Sequence, residues 1–316
     1  MKKILVTGAA GFIGFHLSKS LLVDGYEVLG IDNINDYYSP RLKHARLDQL
    51  KLHENFKFEK VDLVNREALI KSFQSFKPNK VVNLAAQAGV RYSIENPYAY
   101  MDSNLVGFLN IIELCRRNNV EGFIYASSSS VYGGNAKIPF SVKDRVHNPI
   151  SLYATTKRAN ELIAHSYSHL YGMNTTGLRY FTVYGPWGRP DMAYMMFTKK
   201  ILEGNPIPVF NNGKMKRDFT YIDDIISGTR SAIDKNYKYE IFNLGNHKSE
   251  QLMDMISLIE KEIGKKADID FQPMQLGEVQ ESFADINYSI KKLNFYPKVN
   301  IEEGISKFIK WYNEYN

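Results

Sequence analysis

Tyr153 and Lys157 stand four residues apart in a stretch, 151–171, whose pattern predicts a helix, and that spacing puts both side chains on one face. A free phenol has a pKa of about 10, so a tyrosine serves as a base only where a positive charge favours its phenolate. The ammonium of Lys157 is such a charge. Tyr–Lys pairs at this spacing also arise by chance, and this one gains meaning from a serine run, Ser127-Ser128-Ser129-Ser130, upstream of it. Ser128 is suited to hydrogen-bond a reacting oxygen and to relay or orient its proton.

The chain's beginning indicates what such a base would serve. Thr7-Gly8-Ala9-Ala10-Gly11-Phe12-Ile13-Gly14 follows an apolar strand and opens an apolar helix, with Gly8, Gly11 and Gly14 three apart. Glycines permit the tight turn and let backbone N–H groups, those of Phe12 and Ile13 included, approach a pyrophosphate. A second strand over 27–31 ends in Asp32 and Asn33, where an acid accepts hydrogen bonds from adenosine ribose hydroxyls. Its negative charge would repel a 2′-phosphate and no basic residue follows at once, so NAD is preferred to NADP. Arg41 and Arg46 lie beyond a polar-aromatic insertion and read as serving another purpose. Asp62, followed by Leu63, closes a third strand and either accepts from the adenine amino group or caps a helix. Beside a dinucleotide, Tyr153 would take an alcohol proton as hydride leaves, and Lys157 would also hold the nicotinamide ribose.

With these motifs together, the chain resembles the extended short-chain dehydrogenase/reductase family, and within it the nucleotide-sugar 4-epimerases, over essentially its whole length. The resemblance implies catalytic roles for Tyr153, Lys157 and Ser128, an NAD cofactor, a UDP-sugar substrate and a homodimer. Segments 98–118 and 151–171 would contribute to a four-helix bundle between subunits. Three phrases are similar to those of the UDP-glucuronate 4-epimerase group: Asn35-Asp36-Tyr37-Tyr38; Ala85-Ala86-Gln87-Ala88-Gly89-Val90-Arg91-Tyr92-Ser93; and Thr182-Val183-Tyr184-Gly185-Pro186-Trp187-Gly188-Arg189-Pro190. They imply Arg91, Thr182 and Arg189 as substrate residues, the last two joining Ser129 and Ser130 around a carboxylate. Arg217 matches the family arginine that meets the UDP phosphates; the alternative is a surface arginine pairing Asp218 or Asp223.

The chain departs from its relatives at Asn83, where His is frequent, and at Glu278, where Asp is usual. Thr182 departs from the UDP-galactose epimerase pattern and agrees with the uronate one. Competing readings are a UDP-galactose or UDP-N-acetylhexosamine epimerase, a uronate decarboxylase or 4,6-dehydratase, and an NAD(P)-sensing module. The dehydratases and decarboxylases resemble Thr-Asp-Glu or Thr-Ser-Glu where this chain has serines, and sensing modules typically lose the Tyr–Lys pair.

The elements that must position these residues alternate. Strand-like runs at 3–6, 27–31, 56–61, 80–84, 122–127 and 175–180 are separated by helical patterns at 11–24, 66–76, 98–118 and 151–171. That alternation predicts an α/β fold, a doubly wound parallel sheet with ligands beyond its carboxyl edge. The expected organisation is an NAD-binding unit over 1–184, rejoined by the chain near 222–246, and a smaller, mainly substrate-binding lobe over 185–316.

Composition limits the alternatives. The 316 residues are 44% apolar, enough for a sizeable core. Cys115 is the single cysteine, which excludes an internal disulfide and a cysteine-rich zinc site, and it reads as a buried helical thiol. No metal site is expected. Polar residues and glycines interrupt the apolar run after Met-Lys-Lys, which argues against a secretory signal, and no stretch approaches the roughly 20 apolar residues of a membrane span. A cytoplasmic address is the default. The net charge of +6 is dispersed, without the basic stripe of a nucleic-acid binder, and leaves a mild bias toward anionic ligands.

Overall fold

The computed structural model describes residues 2–135 and 137–315, so the opening Met1 lies outside them. Strands β1 (Lys3–Thr7), β2 (Glu27–Asp32), β3 (Phe56–Lys60), β4 (Lys80–Asn83), β5 (Gly122–Ser128) and β6 (Thr175–Tyr180) join Tyr239–Leu244 in one seven-stranded sheet. Every pairing in it is parallel. Successive β1 residues serve opposite faces: Ile4 and Val6 pack with Phe15 and Leu17 on one side, Leu5 with Phe108 and Ile111 on the other. Both faces are thus covered by helices, which is why Ile4 to Thr7 of β1 read as a continuous apolar or β-branched run and every residue of β6 is buried.

From the Tyr239–Leu244 edge the order runs β6, β5, β4, β1, β2, β3. The chain winds outward through β1, β2 and β3, then crosses back to lay β4 on the other side of β1. A crevice opens where the winding reverses. There Thr7 pairs with Ile31 on one side and Asn83 on the other. The Thr7 hydroxyl donates to Asn83 Oδ1 at 2.7 Å and accepts the Ala85 N–H at 3.1 Å, so Asn83 is built into the mouth of the crevice.

The helix expected over 98–118 departs from regularity. Helical turns at Pro97–Tyr100 and Gly107–Arg117 flank a π-helical segment, Met101–Val106. The extra residue in the turn faces buried Asn104 inward, where Oδ1 accepts the Gln87 N–H (2.8 Å) while Nδ2 donates to the Gln87 carbonyl (3.0 Å) and Thr156 Oγ1 (3.0 Å). The loop after β4 is thereby tied to the Leu152–Tyr171 helix.

Beyond β6 the chain makes short strands that pair among themselves. Thr182–Tyr184 lies beside Phe219–Tyr221, Ile207–Phe210 beside Ile269–Gln272, and Lys216–Arg217 between Glu250–Gln251 and Glu281–Ser282. The Ile222–Lys235 helix returns to the sheet and packs on α1 (Phe12–Val23), where Arg230 pairs with Asp24 at 2.7 Å. Cys115 is fully buried, as its helical context suggested. Among the described residues no helix is long and apolar enough to cross a membrane.

Candidate active site

A cavity of ≈ 460 Å³ occupies the crevice. Its dinucleotide end is shaped by backbone. Gly8 has φ +72°, and a Cβ there would sit 2.8 Å from the Ala85 nitrogen; a Cβ on Gly14 would fall 2.0 Å from the Gly8 carbonyl oxygen. Only glycine lets α1 approach this closely. The helix N-cap is Gly11, which has no side chain to cap the first turn, and Phe12, Ile13 and Gly14 line the cavity. This is a site for an anion on a helix N-terminus.

Asp32 is nearly buried and accepts N–H groups from Ala10 (3.2 Å, Oδ2) and Ile34 (2.9 Å, Oδ1). Burial raises its pKa, opposed by those bonds and by the charges of Lys43 and Arg46. Asp62 is not a helix cap: Asn65 caps Arg66–Phe76 through Ala68, while Asp62 Oδ2 accepts from Asn33 Nδ2 at 2.8 Å. The Asn33–Asp62 bridge joins the ends of β2 and β3, and Asp32, Asn33, Asp62 and Leu63 all line the same end of the cavity. A capless helix N-terminus, a buried acid at the end of β2 and a polar bridge fit NAD.

Arg46, set aside in the sequence, is fully buried and donates to the carbonyls of Ala10 (2.8 Å), Trp187 (2.6 Å) and Gly188 (3.0 Å) and to the Tyr38 hydroxyl (2.7 Å). One guanidinium thus fastens the glycine loop, the insertion after β2 and the 185–190 loop to one another. Lys43 also lines this end, donating to Asn35 through its carbonyl and Oδ1, both at 2.7 Å.

The Leu152–Tyr171 helix carries Tyr153 and Lys157 to the middle of the cavity, with Ser151 capping it by accepting the Ala154 N–H. Lys157 Nζ donates to the Ala126 carbonyl at 2.9 Å and lies 6.0 Å from the Tyr153 ring centre. Burial lowers the Lys157 pKa to about 8. For Tyr153, burial dominates and raises the pKa; a hydrogen bond with Ser128 and the charge of Arg189 oppose it. The expectation that Lys157 favours the phenolate is corrected to this extent: desolvation wins in the protein alone, and Arg189 joins Ser128 in opposing it.

The serine run does not continue as a strand. Ser128 ends β5, accepts the Ser130 N–H at 3.1 Å and so opens a short 3₁₀ turn, Ser129–Tyr132, with all three hydroxyl residues lining the cavity. Behind them, Ser127 donates to Glu161 at 2.6 Å, and the Arg179 fork grips the same carboxylate at 2.8 and 2.9 Å. Burial alone would raise the Glu161 pKa, but Arg179, Ser127 and Arg158 more than offset it and the pKa falls. Glu161 is one turn past Lys157, so the ion pair locks β5 and β6 to the helix bearing Tyr153 and Lys157.

Thr182, Arg189 and Arg217 line the remaining end. Arg189 is held by Asp191 at 3.0 Å (Nε) and 2.8 Å (Nη2). Arg217 pairs neither Asp218 nor Asp223; its partner is Glu278, at 2.9 Å. Asp218 is buried instead against the N–H groups of Asn246, His247 and Ala284, its pKa raised by burial to about 6. Arg91 is not brought to the cavity. It is exposed, precedes the short Tyr92–Glu95 helix as its N-cap and stacks over Phe210, 5.0 Å from the ring centre. Asn104, Glu161, Arg179 and Asp191 escaped the sequence reading. Only Glu161 left a signal there, continuing the i, i+4 series from Tyr153 through Lys157.

Residues 4–245 match the model of the NAD dependent epimerase/dehydratase family. The chain belongs to that family. It is 50% identical to protein CapI of Staphylococcus aureus over 99% of both chains. It is 46% identical to UDP-glucuronate 4-epimerase 4 of Arabidopsis thaliana, covering 99% of this chain and 75% of the plant protein. Its structure superposes with a TM-score of 0.94 on UDP-glucuronic acid 4-epimerase from Bacillus cereus in complex with UDP-glucuronic acid and NAD, at 36% identity over 99% of this chain and 100% of the other. The sheet order and the crevice are therefore those of NAD-dependent sugar-nucleotide epimerases.

Proposed function

We propose that this protein interconverts UDP-glucuronate and UDP-galacturonate by transient oxidation at carbon 4. The observation that carries the reading is the placement of Arg189, Thr182 and the Ser128–Ser130 turn on the same cavity as Tyr153 and the dinucleotide cradle. The similarity to the plant and Bacillus cereus enzymes supports it.

NAD bound in the cradle supplies the hydride acceptor and donor. Tyr153 takes the proton of the C4 hydroxyl, with Ser128 orienting that oxygen, and returns a proton after the sugar has turned. Lys157, held on the Ala126 carbonyl, keeps a positive charge beside the base and reaches the nicotinamide ribose. Arg217 meets the diphosphate in exchange for Glu278, fixing the UDP end while the sugar swings. Oxidation at C4 creates a β-keto acid, which loses carbon dioxide when its carboxylate bond aligns with the carbonyl π system. Ser129, Ser130 and Thr182, with Arg189, hold the carboxylate out of that alignment. Decarboxylation or dehydration is disfavoured because Ser129 and Ser130 open the 3₁₀ turn where those enzymes carry an acid.

The working unit we infer is a cytoplasmic homodimer. Tyr98, Met101, Val106 and Leu109 on one helical segment and Leu162 on the other are exposed apolar residues on the two helices that would form the bundle. Incubating purified protein separately with UDP-glucuronate, UDP-glucose and UDP-N-acetylglucosamine, with products identified by NMR, tests the activity. UDP-galacturonate with its carboxylate retained is the expected product; mainly UDP-pentose, or faster turnover of UDP-glucose, rejects the uronate assignment.

A further inference from the structure

We propose that Asp191 is a positioning residue that sets sugar specificity, by partly neutralising Arg189 so that a uronate carboxylate is oriented firmly yet released when the ring swings. This rests on the uronate reading above. Asp191 engages two of the three guanidinium nitrogens of Arg189, Nε and Nη2, and both oxygens of the carboxylate take part. The Nη1 edge is the part of the fork outside that pairing. Tyr37, from the insertion after β2, donates to Asp191 Oδ2 at 3.3 Å, and the Met192 sulfur lies 3.7 Å from Nη2. Three segments of the chain, the 33–39 insertion, the 185–190 loop and the Ala193–Glu203 helix entry, thus converge on one guanidinium. Arg189 lines the cavity; Asp191 does not.

The chemistry explains the arrangement. A fully charged arginine facing the carboxylate would bind the ground state and resist the rotation that epimerisation requires, a gain in affinity that is a loss in turnover. An arginine already forked onto Asp191 presents a reduced charge in a fixed direction, and hydroxyl donors carry the rest. The side chains of Arg189 and Asp191 keep 24% and 30% exposure, so solvent screens the pair and the expected effect is modest.

Binding of UDP-glucuronate, UDP-glucose and UDP to the NAD-loaded protein, measured by titration beside steady-state kinetics, tests this in wild type and Asp191→Asn. The variant is expected to bind UDP-glucuronate about three- to fivefold more tightly, with UDP-glucose and UDP unchanged, while kcat on UDP-glucuronate falls by a similar factor. Unchanged affinity for UDP-glucuronate, or the same change for all three ligands, overturns the proposal. If thermal melting shows the variant unfolded, Tyr37→Phe serves instead. With one hydrogen bond fewer, Asp191 holds Arg189 more fully, and the preference for UDP-glucuronate over UDP-glucose must fall; an unaltered preference overturns the proposal. A wild-type protein that does not epimerise UDP-glucuronate defeats the underlying reading, whereas a wild-type uronate epimerase with an indifferent Asp191→Asn defeats only this inference.

Discussion

Lys157 donates to the Ala126 carbonyl at 2.9 Å from a position 6.0 Å from the Tyr153 ring centre, so the ammonium is anchored to the carboxyl end of strand β5 and not to the phenol. The groups that act on the phenol in the protein alone are Ser128 and Arg189, against burial. Replacing Tyr153 by Phe keeps the ring and its edge contact with Tyr100 and removes only the acid–base group. We expect Tyr153→Phe to lose at least about 10²-fold in kcat while binding nucleotide normally, and Lys157→Met to lose both activity and NAD affinity. Stopped assays and cofactor titration measure the two; retention of a tenth of wild-type turnover by the Phe variant would show that another group is the base.

The pH profile should report the opposition around that phenol. Burial raises the Tyr153 pKa, so the phenolate grows as pH rises and turnover should climb through the neutral range. Arg189 favours the phenolate; Arg189→Gln removes that charge, and the rising limb should move to higher pH. A limb that stays in place, read from kcat between pH 7 and 11, would separate Arg189 from the phenol electrostatically.

Asp32 has two duties, since its carboxylate holds the Ala10 and Ile34 amides at the ribose end of the cradle. Asp32→Ala should weaken NAD binding, relax discrimination against NADP and lower stability by about 1–3 kcal/mol, as two buried donors lose their acceptor. Fluorescence titration with both cofactors and a thermal melt check this. An unchanged NAD/NADP ratio would place the selection elsewhere.

Glu161 and Arg179 are both almost fully buried and face each other as a two-bond fork. Arg179→Met leaves the carboxylate with Ser127 and the partly exposed Arg158 only, and should cost about 3–5 kcal/mol. Glu161→Met combined with Arg179→Met removes both charges and should recover part of the loss. Denaturant melts of the two variants give the comparison, and a double variant less stable than the single one would contradict it.

Assembly provides an independent test. Leu109→Glu with Leu162→Glu introduces charge on the exposed apolar stripes of the two bundle helices. Light scattering should find wild type at twice the mass of the chain and the variant as a monomer; a wild type that runs as a monomer removes the dimer from the proposal.

The local residue pattern determined much of this protein by itself. Alternating strand and helix runs specify a parallel sheet because each strand must bury both faces, and Gly8, Gly11 and Gly14 specify a close strand-to-helix turn that a side chain at any of them would block. Tyr153 and Lys157 could be paired from spacing because a helix brings i and i+4 together. Where those elements met was decided only in three dimensions. Asn104 reaches Gln87 and Thr156 because a π turn rotates it inward, and one extra residue in a turn leaves no periodic trace. Arg217 found Glu278, 61 residues away, and Arg46 found Trp187, 141 residues away, through loops whose course no local propensity encodes. Arg91 sits in a phrase similar to those of relatives and still lies outside the cavity lining, over the ring of Phe210, a residue 119 positions on that only the tertiary structure brings beside it. Even the balance at Tyr153 belongs to the tertiary structure: spacing announces the ammonium, but only packing sets how much water is removed from the phenol, and desolvation is the larger effect.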